Sequence, residues 1–165
     1  KPTHKKHSRN DILVSSVLLK HAISAIESQV KLDRSFDIPY LAGYSRDGKT
    51  VYIDRDLPKY FSTRGRRVLV DPYLILHESV EKALLDKFHL KYQYAHQIAL
   101  RVEKAAITSA RLSWRAYDRF MQKQIKIAAR KKLRRIPPDL DLKSYQDEND
   151  LALLASMRKT LTHKL

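Results

Sequence analysis

His77, Glu81 and His96 are the residues of this chain whose types and spacing allow them to do chemistry together. Side chains four apart lie on one face of a helix, so His77 and Glu81 can address the same point, while Glu78, turned by about 100°, stands beside them. His96 follows far enough on to reach that point from a second helix. Two imidazoles and a carboxylate suit one metal ion, and as a His2Glu set they leave a fourth zinc position for water. Cys is absent, so any metal must be held by His, Asp or Glu. His89 lies about 18 Å from His77 along an unbroken helix and is out of reach. Glu103 shares a face with His96 but sits about 10.5 Å further along the axis, which leaves it a supporting role beside the site or a pairing with a basic neighbour. Tyr52, Tyr92 and Tyr94 are candidates for a hydroxyl aimed at a developing oxyanion, against the plainer role of core or rim residues. For the whole set the plain alternative is a helix that exposes His77, Glu78 and Glu81 to solvent.

Two helices must position these groups. Asp71-Pro72 predicts the start of the first, because Asp accepts from free N–H groups and Pro is tolerated at the first helical position. Tyr73, Leu76, Val80, Ala83, Leu84 and Phe88 would form its packed face, with the following turn within Lys87 to Lys91. The second helix begins at Tyr92 or Gln93 and runs through His96, Ala99, Val102, Glu103 and Ala106 past Trp114. Ala95 and Ala99 are small enough to let the two helices approach closely. Upstream, residues 11 to 31 carry an amphipathic pattern with Asn10 or Asp11 as N-cap. Ile38 to Ser45 and Thr50 to Asp54 are β-prone runs joined through Asp47-Gly48, a hairpin signal. Arg64 to Arg67 read as a basic loop before the apolar run Val68 to Val70. Downstream, a basic helix extends to Arg135, where Pro137-Pro138 ends it. Ser144 with Asp147 three residues on starts a last helix through Leu151, Leu153, Leu154 and Met157. The fold class expected is α+β, predominantly helical: helix, β-hairpin, motif helix, ligand helix and a basic helical C-terminal region.

A chain of 165 residues with 43% apolar content suffices for one domain with a core. The divisions expected are a basic arm over 1–10, a core over 11–110 and a basic helical extension over 111–165. No run approaches 18 consecutive apolar residues, and residues 1–10 lack the apolar stretch of a secretion signal, so a soluble cytoplasmic protein without a membrane partner is expected. The net charge is +15. Lys123, Lys126, Arg130, Lys131, Lys132, Arg134 and Arg135 follow one another without an acidic residue, and Arg111, Arg115 and Arg119 precede them. Such a stripe attracts nucleic acid or an acidic protein surface. Few aromatics interleave, which favours phosphate-backbone contact over stacking on single-stranded bases. Against this stand a simple solubilising face and a fold-back of the acidic run Asp139, Asp141, Asp147, Glu148 and Asp150 onto the stripe.

The run His77-Glu78-x-x-Glu81, followed by His96 within Ala95-His96-Gln97-Ile98-Ala99, resembles the H-E-x-x-H helix and downstream ligand of zincin metallopeptidases. By ligand set the nearest branch is the gluzincins, and Tyr40 to Glu103 looks like a minimal zincin, with Glu replacing the second His of the motif. Tyr52-Ile53-Asp54-Arg55 ahead of the motif helix is similar to uncharacterised bacterial or phage zincin-like proteins. The resemblance implies Zn2+ held by His77, Glu81 and His96, Glu78 as general base, and hydrolysis of a peptide or protein substrate. It also implies an edge strand that pairs with an extended peptide, which Val51 to Asp54 would supply. The charge supports a competing expectation: a non-enzymatic nucleic-acid-binding or phage assembly protein, even virion-associated, on the same scaffold.

Overall fold

The computed structural model describes residues 28–162 together with positions 21, 24 and 25. The expected arm over 1–10 and most of the expected first helix lie outside the described residues; His21, Ser24, Ala25, Ser28 and Gln29 are helical. The architecture is α+β with helix outweighing strand. Strands β1 (Lys31–Asp33), β2 (Ala42–Tyr44) and β3 (Thr50–Ile53) form one sheet in the order β1-β3-β2. β2 and β3 are the expected hairpin, with Tyr44 opposite Val51 and Ala42 opposite Ile53. In its loop Gly48 takes φ 71°, while Asp47 accepts from the Ser45 hydroxyl and the Lys49 amide. β2 is shorter than expected because Tyr40 and Leu41 take φ 56° and 77°, turning the chain before the strand begins. β1 runs parallel to β3, so the helical pattern stops short of residue 31. β3 is therefore the central strand, and Val51 to Asp54 cannot be the edge that the resemblance implied. Arg66 and Arg67 are not loop: β4 (Tyr60–Thr63) and β5 (Arg66–Leu69) form a second hairpin. Its turn is Arg64-Gly65 alone, with φ 50° and 72°, the left-handed pair that a two-residue hairpin requires.

The helices are α1 (Asp71–Phe88), α2 (Tyr92–Ser109), α3 (Trp114–Ala129), α4 (Lys143–Asp147) and α5 (Leu151–Thr162). α1 starts at the predicted Asp-Pro, but the Asp71 carboxylate does not cap it; it accepts from the Arg34 guanidinium at 2.5 Å and 3.1 Å. The helix ends where His89 turns left-handed and the Leu90 amide reaches back to the Leu84 carbonyl. Its buried face is broader than the expected one: Leu76 is buried and Tyr73 and Leu84 pack as expected, but Leu74, Ile75, His77, Glu78, Glu81 and Leu85 are buried too, whereas Phe88 is 67% exposed. α2 stops at Ser109 rather than passing Trp114, because Arg111 takes φ 59° and the Ser113 hydroxyl caps a new helix by accepting the Ala116 amide at 3.1 Å. α3 ends at Ala129, not Arg135. Beyond it the amides of Arg134 and Arg135 donate to the Asp37 carboxylate, a bond no helix would leave them free to make. The last helix is capped by Asp150, which accepts the Leu153 amide; the Ser144 and Asp147 pair belongs to the separate short α4.

Two apolar clusters hold these elements together. In the first, Ile53, Val70 and Ile107 are fully buried beside Tyr117 and Met121 of α3. In the second, Ile38 and Tyr52 pack against Ile136, Leu140, Leu154 and Met157. Residues after 111 contribute to both clusters. Among the described residues no helix is long and apolar enough to cross a membrane.

Asp37, fully buried, joins the two halves. Its Oδ2 accepts the Arg134 and Arg135 amides at 2.8 Å and 2.9 Å, and its Oδ1 lies 2.7 Å from Arg55 Nε and 2.9 Å from Lys131 Nζ. Lys131 also pairs with Asp54 and Asp56, and Asp54 accepts the Ile38 amide, so Asp54 serves the fold. Burial works to raise the Asp37 pKa, but Lys131 and the two amides outweigh it and hold it at about 2, below the ordinary 3.8. A depressed carboxylate stabilises the fold above its unfolded pKa and loses that contribution as pH falls through the folded one. Urea unfolding should therefore lose about 2 kcal/mol between roughly pH 5 and pH 2 through this group. Asp37→Asn should be less stable at neutral pH and show a correspondingly flatter acid profile.

Candidate metal centre

α1 and α2 are antiparallel neighbours, and Ala95 and Ala99, both 0% exposed, let them approach closely. An antiparallel pair sets Glu81 opposite His96 and, one turn earlier on α1, His77 opposite a residue further along α2. That residue is Glu103. Glu81 Oε2 lies 3.3 Å from His77 Nε2 and 3.0 Å from His96 Nδ1, and one donor atom from each of the three residues falls within 4.8 Å of the others. The His77 ring also lies edge-on to the His96 ring, with centroids 5.0 Å apart. On its other side His77 Nδ1 meets Glu103 Oε1 at 2.8 Å, and Glu103 Oε2 accepts from the Tyr117 hydroxyl at 2.5 Å. Tyr44 donates to Glu81 Oε1 at 3.1 Å, and the Tyr92 ring stacks on His96. The distance along α2 that set Glu103 apart from His96 is what brings it to His77.

The charges in this cluster are strongly coupled. Burial alone would lower the His77 pKa, but Glu103 and Glu81 outweigh it and lift it well above the ordinary imidazole value. Burial would raise Glu81, but the hydrogen bonds from His77 and His96 outweigh it and hold it low. Glu78 goes the other way. Burial and then the neighbouring Glu81 charge push its carboxyl up, and it has no hydrogen-bonding partner among the described residues. Burial also raises the Tyr44 and Tyr117 hydroxyls, assisted by Glu81 and Glu103 respectively.

A cavity of about 220 Å³ opens onto these groups. Its walls include Glu78, Glu81, Glu103, Asp118 and Asp141 but, among the described residues, no Lys or Arg, in a chain of net charge +15. Apolar and aromatic surface comes from Leu74, Leu100, Trp114, Met121 and Tyr145. At the rim sits Tyr40, left-handed at φ 56°, its ring stacked on Tyr145 and its hydroxyl donating to Asp150 at 2.5 Å. Of the tyrosines named from sequence, Tyr92 lines the cavity, Tyr52 donates instead to Asp139, and Tyr94 is 51% exposed. Tyr44 and Tyr117 were not singled out, and no local spacing links either to the carboxylate it bonds.

The basic residues lie elsewhere. Lys123, Lys126, Arg130, Lys132, Arg134 and Arg135 are exposed, the Arg135 guanidinium stacking over Phe36, while Lys131 is turned inward among carboxylates. The acidic run does not fold onto them: Asp139 serves Tyr52, Asp141 pairs with Lys82 at 2.7 Å, and Asp150 serves Tyr40 and the start of α5. No protein-family model, curated protein or solved structure is significantly similar to this chain.

Proposed function

We propose that this chain is a metal-dependent peptidase of zincin-like, gluzincin-related type, with His77, Glu81 and His96 holding the ion and Glu78 as general base. The observation that carries this reading is the convergence of two imidazoles and one carboxylate on a cavity whose lining, among the described residues, contains no Lys or Arg. Two ligands about 2.0–2.1 Å from a tetrahedral ion lie about 3.3 Å apart, and Glu81 Oε2 stands 3.3 Å and 3.0 Å from the two His nitrogens. The donor set therefore fits Zn2+, which when bound supplies Lewis acidity, polarising a carbonyl and acidifying water. Glu103 holds Nδ1 of His77, which leaves Nε2 directed at the site. Glu78, buried and without a hydrogen-bonding partner among the described residues, would be kept ionised by the charge of an ion held beside it, and so takes a proton from the attacking water and returns it to the departing amine. The Tyr92 ring, stacked on His96, and Tyr44, bonded to Glu81, keep both ligands in place.

Metal content of the purified full chain tests this reading. One equivalent of Zn2+ per chain is expected, with His96→Ala retaining far less. Saturation at about a thousandfold over Kd should raise unfolding stability by about 4 kcal/mol. A chain that retains no transition metal, and whose Tm does not move when Zn2+, Mn2+, Co2+ or Ni2+ is added, overturns it.

A further inference from the structure

We propose that the outer face of α3 binds the phosphate backbone of double-stranded nucleic acid, independently of the metal site. Arg115, Arg119, Lys123, Lys126 and Arg130 are all exposed, and none is hydrogen-bonded or ion-paired among the described residues. At 100° per residue these five positions fall within an arc of about 80°, forming one straight row. From Arg115 to Arg130 the row is about 22 Å long, with a cation every 5–6 Å or so. The only acidic residue of α3, Asp118, faces the cavity. Lys131, inside the basic run by sequence, is excluded because its ammonium is paired with Asp37, Asp54 and Asp56.

The same helix argues against other polyanionic partners. Its apolar side, with Tyr117 and Met121, is packed in the core, and Ile127, its one large apolar side chain that is exposed, is too little surface to enter a bilayer. Its aromatic residues Trp114, Tyr117 and Phe120 also pack inward, which removes both stacking platforms for single-stranded bases and the anchors on which protein interfaces centre. A rigid row of unpaired cations without anchors suits a ligand that presents regularly spaced charge, and a duplex carries one phosphate every 3.4 Å or so along each strand. Contact with the phosphate backbone alone carries no sequence information, so the binding proposed is indifferent to sequence.

Titration of the full chain against a fluorescent duplex of arbitrary sequence decides the matter. Five phosphate contacts give a slope of log K against log salt of about −4.5, so affinity should fall about 500-fold between 50 and 200 mM. Replacing Arg115, Arg119, Lys123, Lys126 and Arg130 together by Gln should abolish most of that slope. A control with Lys31, Lys59, Lys87, Lys91 and Arg158 replaced by Gln has the same net charge and should retain it. If the fivefold row variant does not fold, Lys123→Gln with Lys126→Gln must still reduce the slope by about 2. Equal losses in the row and control variants would show net charge alone and overturn the proposal. So would a flat salt dependence, or displacement of the duplex by polyglutamate at equal charge concentration, which would assign the face to an acidic protein.

Discussion

Glu78→Gln should leave metal content unchanged and lower peptide hydrolysis by about 10²–10⁴-fold, the contribution of a positioned general base. The amide keeps the volume and hydrogen-bonding capacity of the side chain but cannot take a proton. Glu78 bonds nothing among the described residues, so the substitution removes no contact that holds the fold. It also removes a buried carboxyl whose ionised form is disfavoured by its surroundings, so the variant should unfold no earlier than the natural chain. Metal analysis and cleavage of a mixed fluorogenic peptide library, run on the same preparation, check both halves. Undiminished cleavage with metal intact would mean that the proton goes elsewhere and would strip Glu78 of its role.

Glu103→Ala should produce the largest stability loss, roughly 3–5 kcal/mol, because it leaves His77 Nδ1 and the Tyr117 hydroxyl without their acceptor in a buried environment. Zn2+ affinity should fall 10–100-fold or so, since the partner that orients a ligating His sets both its tautomer and its basicity. Glu103→Gln separates the two effects. Its carbonyl can still accept from one donor, so it should recover part of the stability, but without the charge it should recover less of the affinity. Urea unfolding and Zn2+ titration of both variants measure this. A folded Glu103→Gln chain with undiminished Zn2+ affinity would reduce Glu103 to a packing residue.

The helix pair was legible because its signals are local. Asp71-Pro72 marks a start, the spacing of His77 and Glu81 marks a face, and Ala95 and Ala99 mark a close approach. The β2–β3 hairpin was legible for the same reason, through Asp47-Gly48. The pairing of β1 with β3 was not, because parallel pairing is settled by distant residues and no turn announces it. The break between α2 and α3 was hidden because Arg111, not Gly, occupies the left-handed position. The buried face of α1 is wider than hydrophobic patterning predicts, because patterning looks for apolar residues such as Leu76 whereas this helix also directs His77, Glu78 and Glu81 inward. Lys131 shows the same limit with charge: in sequence it is one of a basic run, and only the fold supplies the three carboxylates that enclose it.

The grip of Asp37 on the Arg134 and Arg135 amides spans 97 and 98 positions of chain, and Tyr52 reaches Asp139 across 87. Chains are made from the N-terminus, so His77, Glu81, His96 and Glu103 all emerge before the residues that balance Asp37 exist. Until Lys131 and the two amides arrive, burying Asp37 would strand a charge in the interior, and its neighbours in the sheet stay wet. Ser144 and Tyr145, which line the cavity, come later still. A growing chain can thus present its imidazoles and carboxylates in water well before it can enclose them, and closure of the site waits until residues 131–145 have been made.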